Sequence, residues 1–366
     1  MTKARKAFLL TALIGLEALI GLLILASLAA TQLGVPSAAR LFYVADTHAE
    51  ETIEERLAVD GPARLDLDSL RGEVLVTAGD EDVYLIRAHK EVWGQGEEDA
   101  RARLQQLQVV LTRSGGSVSV QVVEPPDMHV LSLVKRGSVV SFEIVVPRTS
   151  DAQLSTRDGQ VVVRGLQGDV QVENRFGPVR IEDVQGAVSV DARDRDVIIV
   201  RSGDPRAEVE VANRFGELTL REVTASRVQL ENRDGDVRLE DVQVGGPLTV
   251  HARFGSVDLE RVSATDVELH SDNDALSLQD VQASGRLSLE HRFGQVSLYD
   301  VAAASLRVDA QDGTLTVDQV TIEREATFET RFAAIDVSHF RAQALTINGS
   351  DRDVELDGVQ LAGKLQ

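Results

Sequence analysis

The chain of 366 residues contains no cysteine, so disulfide bonds, thiolate nucleophiles and cysteine-ligated zinc are excluded. Aromatic residues make up only 4% of it, with one tryptophan and three tyrosines, which argues against a platform for stacking sugar rings. Acidic residues outnumber basic ones 59 to 38, and the formal charge of −21 disfavours nucleic acid and favours solubility, cations or basic partners. Hydrophobic residues reach 43%, enough to bury a core.

The N-terminus is the most hydrophobic part of the chain. Three basic residues, Lys3, Arg5 and Lys6, precede an apolar run over 7–30 that Glu17 alone interrupts. About 20 apolar residues suffice to cross a bilayer, and basic flanks stay cytoplasmic. We therefore expect a single-pass signal anchor with extracytoplasmic repeats, at the cell surface or in a periplasm, with a cleaved signal peptide as the alternative. Glu17 either pairs with another transmembrane helix or is tolerated in the span.

A short motif, Arg-(Asp/Phe)-Gly, recurs with the middle residue alternating in type. We call this position the corner column; its members are Asp158, Phe176, Asp194, Phe215, Asp234, Phe254, Asn273, Phe293, Asp312, Phe332 and Asp351. The intervals between successive members are 18 to 21 residues, a period typical of solenoids. Apolar residues alternate with polar ones on both sides of the motif, which indicates two short strands per coil.

The pattern predicts an all-β solenoid of about eleven coils of about 19–20 residues. Loop lengths alternate in step with Phe and Asp, so a propeller-like array of four-strand units of about 39 residues is the alternative. Equivalent residues stack about 4.8 Å apart in a solenoid, so a continuous aspartate column would set like charges face to face. Phenylalanine at every second position doubles the spacing of the carboxylates, and we expect its ring to pack the corner.

The domain organisation expected from these patterns has five parts. They are a basic tail (1–6), a transmembrane anchor (7–30), a linker (31–60), an N-terminal β segment (61–148) and the tandem repeats (149–366). Within the β segment, 97–106 lacks glycine and proline and predicts one short helix. No comparable capping segment follows the last repeat, so its outer edge is expected to be bare.

Residues 50–366 resemble the DUF4097 family of β-strand-repeat proteins, often labelled "putative adhesins". The resemblance rests on the segment 51–111, which begins ETIEERLAVDGPARLDLDSLRGEVLV, and on the G-x-V-x-V/L-x-x-V-x-G rhythm that follows it. It implies a bacterial, extracytoplasmic β-helix, in some members associated with envelope stress. It supplies no catalytic or ligand-binding residues.

Few residues suggest site chemistry. His251 and His270 occupy one column in adjacent coils, where stacked imidazoles would bind a transition metal or sense pH, although outward solvated side chains explain them more simply. Asp272 and Asp274 belong to an aspartate-rich turn that raises calcium as an alternative to a purely conformational role. No catalytic triad or distinct carboxylate pair stands out, so we expect no enzyme activity and no cofactor.

The sequence thus predicts a membrane-anchored, non-catalytic scaffold, adhesion or interaction module of the cell envelope. Its partner would be a protein or a surface polymer bound along an acidic face. Self-assembly through an uncapped C-terminal edge and an envelope-stress role through Glu17 are the alternatives.

Overall fold

The structure, a computed structural model, describes residues 47–124, 137–350 and 353–365. The predicted transmembrane segment and Glu17 lie outside these residues, as does Asp351. Among the described helices, none is both long and apolar enough to cross a membrane. The described chain divides into two compact units, one comprising 52–90, 108–123, 139–350 and 353–365, and the other 47–51, 91–107, 124 and 137–138.

Nearly all the described chain is β-strand. The strands before the repeats are Thr47–Ala58 (β1), Arg64–Arg71 (β2), Val74–Gly79 (β3), Val83–Gly94 (β4), Gln108–Ser114 (β5), Ser117–Val123 (β6) and Ser138–Pro147 (β7). The repeats begin with Asp151–Asp158 (β8), Val161–Arg164 (β9), Val170–Phe176 (β10), Val179–Glu182 (β11), Val188–Asp194 (β12), Val197–Val200 (β13), Glu208–Phe215 (β14) and Leu218–Ala225 (β15). They continue with Arg227–Asp234 (β16), Val237–Val244 (β17), Pro247–Phe254 (β18), Val257–Ala264 (β19), Asp266–Ser271 (β20) and Leu276–Asp318 (β21). The last are Thr321–Ile322 (β22), Glu325–Arg331 (β23), Ala333–Ser338 (β24), Arg341–Ala342 (β25), Ala344–Ser350 (β26), Val354–Asp357 (β27) and Gln360–Leu361 (β28).

Each coil stacks on the next through parallel, in-register ladders. The strand before the corner column pairs with its counterpart one coil away, as in β10 with β8 and β12. The strand after the corner does the same, and a short third ladder joins β22, β25 and β28. The prediction of a solenoid is therefore confirmed, because a propeller would not stack equivalent strands of successive coils in parallel.

The core lies inside the coils, where period-2 alternation places one side of every strand. Inward residues such as Val172 and Leu230 are fully buried, while their chain neighbours are exposed. Each leucine or valine removed from water contributes about 1.5–3 kcal/mol, so these stacked columns are the main source of stability.

The parallel ladder extends into the segment before the repeats. Strand β2 pairs with β8, and β3 pairs with β9, so 64–79 forms a further coil below the first motif. Strands β6 and β7 in turn pair in parallel with β2 and β3. The order of stacking is therefore β6/β7, β2/β3, β8/β9, which differs from the order along the chain. Antiparallel pairing of β5 with β6 covers the outer edge of this end.

The helix α1 spans Glu97–Gln106 and confirms the prediction for this segment. Three acidic residues occupy its first turn, where the helix dipole favours negative charge. Arg103 Nε donates to Asp99 Oδ1 at 3.0 Å across one turn, and the Asp99 carboxylate also accepts the Gln95 backbone N–H at 2.8 Å.

Candidate binding face along the corner column

The corner column places five phenylalanine rings on the surface of the solenoid. Their exposed fractions run from 42% to 52%, and the rings belong to Phe176, Phe215, Phe254, Phe293 and Phe332. The expectation that these rings pack the corner is therefore wrong, because a packing role would bury them. Half of the ten phenylalanines of the chain are instead exposed along one line.

The rings alternate with carboxylates in direct register. Phe176 pairs with Asp158 on one side and with Asp194 on the other, and Asp194 pairs in turn with Phe215. The next two members, Asp234 and Phe254, continue the alternation. Successive rings therefore stand two coils apart, about 9.6 Å.

A column of buried asparagines fixes the backbone of this corner from inside. Asn174 Nδ2 donates to the carbonyl oxygens of Gly159 and Gly177, both at 3.0 Å. Asn232 repeats the arrangement with Gly216 and Gly235, at 3.1 and 2.9 Å. These amides satisfy carbonyl groups that the tight turn leaves unpaired inside the protein. Sequence reasoning missed this column, although its signal, Glu-Asn-Arg before the corner residue, was visible.

At Phe332 the corner residue itself has a φ of 57°, but in the coils from Gly159 to Gly313 the residue after the corner adopts a positive φ. Glycine supplies it in most coils, as at Gly235, where φ is 138° and an added Cβ would lie 2.1 Å from the Gly216 carbonyl oxygen. Arg195 occupies this position in its coil, with φ at 116°. A non-glycine residue in this region is strained.

A shallow groove of about 580 Å³ lies between two of the exposed rings. Its lining includes Phe176, Phe215, Asp158, Asp194 and the strained Arg195. The carboxylates of Asp158 and Asp194 have no hydrogen-bond or ion-pair partner among the described residues. The groove therefore combines two apolar faces with free acceptors and one cationic donor.

Arginine precedes the corner residue in six consecutive coils, at Arg157, Arg175, Arg193, Arg214, Arg233 and Arg253. Three of them line a second groove, of about 640 Å³, on the adjoining outer face, together with Glu231 and His251. The guanidinium of Arg214 lies 5.3 Å from the ring centre of Phe215, within the range of a cation–π contact. This face is mixed in charge and rich in hydrogen-bonding groups.

His251 and His270 are paired in adjacent coils, as their column predicts. Their rings meet edge to face, with centres 4.8 Å apart and planes at 87°, and they are not stacked. His270 Nε2 lies 3.1 Å from a carboxylate oxygen of Glu290. Within the described ranges, this pair does not gather with a third ligand into a cluster suited to a metal ion.

Asp272 and Asp274 do not converge on one point. Asp272 lies 3.3 Å from Arg292 Nε and 3.9 Å from Arg253 Nε, so two guanidinium groups neutralise it. Asp274 adopts φ of 70° at the position that glycine occupies in other coils, which is the conformational role expected of a turn aspartate. The calcium alternative stays a prediction.

One buried histidine, His291, occupies the asparagine column and was missed by sequence reasoning. Its side chain is 1% exposed, and neither ring nitrogen has a hydrogen-bond partner of good geometry. Burial lowers the pKa of His291 below the ordinary value of 6.5, while the nearby carbonyl groups of Asp274, Ser271 and Phe293 oppose the shift.

The fold and this repeated face define a parallel β-solenoid with a periodic exposed surface. The resemblance to DUF4097 is confirmed, since the family model described as Toastrack DUF4097 matches residues 206–291 and 263–366. The matched ranges cover the later repeats and not the segment 51–111. Among curated proteins, none matches this chain.

Several solved structures align with this chain at low identity and low TM-score. The crystal structure of a "putative cell adhesion protein" from Clostridium sporogenes is 10% identical, with a TM-score of 0.32, and the alignment covers 58% of this chain and 99% of that one. A "putative adhesin" from Bacteroides fragilis is 12% identical over 88% of this chain and 98% of that one, with a TM-score of 0.22. A "putative lipid binding protein" from Parabacteroides distasonis is 11% identical with the same coverages and a TM-score of 0.24.

Proposed function

We propose that this protein is a non-catalytic interaction module of the cell envelope that binds an extended, repeating surface polymer along its corner column. The observation that carries this function is the line of five exposed phenylalanines, repeated every two coils on a ladder of hydrogen-bonded strands. A ligand with its own repeat gains a similar contact at each step. Weak contacts in series then give useful avidity.

A binding role also accounts for the carboxylates better than catalysis does. Asp158, Asp194 and Asp234 recur in equivalent surroundings, so no one pair is set apart as an acid and a base. The expected membrane anchor over 7–30 belongs to this proposal, because it would hold the repeats outside the membrane.

The test is co-sedimentation with purified cell-wall sacculi, using the full chain in mild detergent because of its apolar run. We expect the wild type to sediment with the sacculi, and the triple variant Phe176→Ala, Phe215→Ala, Phe254→Ala to remain in solution. Tyr299→Ala is the matched control, because Tyr299 is 45% exposed and lies outside the corner column. Equal sedimentation of the triple variant and the wild type would refute the function.

Self-assembly is a second candidate that one observation favours. On strand β27, Val354 and Leu356 are 45% and 37% exposed, and the outer edge of this strand pairs with no other strand of the described chain. Such an edge invites pairing with another chain. Sedimentation velocity over a range of concentrations tests it, since growth of larger species that Leu356→Lys abolishes supports assembly, and a constant monomer excludes it.

A further inference from the structure

We propose that the polymer is a neutral linear polysaccharide, that the groove between Phe176 and Phe215 holds one two-sugar step of it, and that Arg195 is the hydrogen-bond donor of this subsite. The inference rests on the proposed function and specifies its ligand. It follows from three properties of the groove, which are the spacing of the rings, the charge of the lining and the strain at Arg195.

The spacing of the rings suits a sugar chain. A pyranose ring has one face rich in C–H groups, which packs flat against an aromatic ring. Phe176 and Phe215 present such surfaces two coils apart, about 9.6 Å, with Asp194 between them. An extended β-linked chain presents equivalent faces at alternate sugars over a similar length. Low aromatic content argued against a sugar platform, but the fold gathers half of the phenylalanines on one line.

The charge of the lining selects a neutral chain. Asp158, Asp194 and Asp196 line the groove together with one cation, Arg195, so the groove is negative, as is the whole protein. This field repels polyanions. Free carboxylates are strong acceptors for hydroxyl groups, which neutral sugars carry on every ring. Asp196 already accepts the Glu217 backbone N–H at 2.9 Å, so Asp158 and Asp194 are the available acceptors.

Among the residues that line the groove, Arg195 is the one non-glycine residue with a positive φ. Its position takes glycine in neighbouring coils, at Gly177 and Gly216, and Arg195 adopts a φ of 116° that costs conformational energy. The strain places a side chain with five N–H donors beside the two rings. A donor at this point complements the carboxylates, because sugar hydroxyls also need groups that donate to them.

The experiment is isothermal titration calorimetry of the full chain, reconstituted in phosphatidylcholine nanodiscs, with four probes. These are chitohexaose, cellohexaose, a hyaluronan hexasaccharide as the anionic chain of equal length, and phosphatidylglycerol vesicles. We expect a neutral hexasaccharide to bind about tenfold or more tightly than hyaluronan, and Phe215→Ala to lose about tenfold, the equivalent of one aromatic contact. Tyr299→Ala should bind as the wild type does.

The variant Arg195→Gly distinguishes a loss of binding at the subsite from a loss of folding. This variant should unfold at an equal or higher temperature than the wild type, because glycine accepts the positive φ, yet bind the neutral hexasaccharide about tenfold more weakly. A merely structural role for Arg195 would leave the affinity unchanged and overturn its assignment.

The outcomes distinguish this inference from the proposed function. Preference for hyaluronan or for the vesicles, or binding of no probe, overturns the neutral polysaccharide, while Phe-dependent sedimentation with sacculi would still support the function. Loss of the Phe dependence in both assays would refute both.

Discussion

Replacing the buried His291 by asparagine is expected to flatten the fall of stability on acidification. The folded protein holds the imidazole neutral, because burial lowers its pKa below 6.5. In the unfolded chain the ring has its ordinary pKa, so the unfolded state binds more protons as pH falls through 6.5. Stability contributed by the neutral ring is therefore present above pH 6.5 and is lost as pH falls towards the folded pKa.

The size of the effect follows from the linkage between protonation and folding. Each unit by which burial depresses the pKa removes about 1.4 kcal/mol from the free energy of unfolding once the pH lies below both values. Asparagine does not titrate, and at the equivalent positions Asn174 and Asn232 donate to the corner carbonyls. His291→Asn should therefore be more stable than the wild type near pH 5 and lie within about 1 kcal/mol of it near pH 7.5.

Urea denaturation of the full chain in detergent, followed by circular dichroism at several pH values, measures this difference. His291→Ala is the control, because it removes the titrating ring without supplying an amide. It should lose the same pH dependence but be less stable than His291→Asn at every pH. If the free energies of unfolding of the wild type and of His291→Asn fell in parallel between pH 7.5 and pH 5, the reasoning would be refuted.

Three further predictions concern the corners and are measured by the same denaturation assay. Gly235→Ala should lower the free energy of unfolding by more than about 2 kcal/mol, because the added Cβ would collide with the Gly216 carbonyl oxygen. Gly245→Ala is the control: an added Cβ there has its nearest contact at 3.8 Å, so the change should be less than about 0.5 kcal/mol. Asn232→Ala should cost about 1–3 kcal/mol, because the carbonyl groups it satisfies become unpaired inside the corner. Glu222→Gly should stabilise by up to about 1 kcal/mol, because Glu222 adopts a φ of 54°.

Each of these predictions has an outcome that contradicts it. Equal losses at the two glycines would show that the close approach at Gly235 is relieved by a backbone shift. An unchanged stability of Asn232→Ala would mean that water replaces the amide. A loss of stability in Glu222→Gly would show that the side chain contributes more than its backbone strain costs.

The turn that comes after the corner column and its following strand, here called the second corner, shows what local reasoning could not find. Nine described residues other than glycine adopt φ between 46° and 56° there, among them Asp183, Arg201, Asp241 and Arg261. Charged side chains at this corner pair between adjacent coils, with Arg201 Nε 2.9 Å from Asp183 Oδ1 and Arg261 Nε 2.6 Å from Asp241 Oδ1. This backbone conformation is uncommon in residues other than glycine, although aspartate adopts it more readily than arginine, and the parallel ladders on either side impose it.

The sequence by itself determined the solenoid, its coil length, the alternation of Phe and Asp in one column and the helix Glu97–Gln106. Each of these depends on a repeat or a composition contained within one or two coils, so neighbouring residues specify it. The tertiary structure alone decided that strands β6 and β7 stack below β2 and β3, which requires pairing between distant segments. It also decided that the phenylalanines face solvent and that asparagines hold the corner from inside, because both depend on the direction in which a tight turn points its side chains. A periodic sequence specifies which residues share a column, whereas the folded coil specifies whether that column lies in the core or on the solvent-exposed surface.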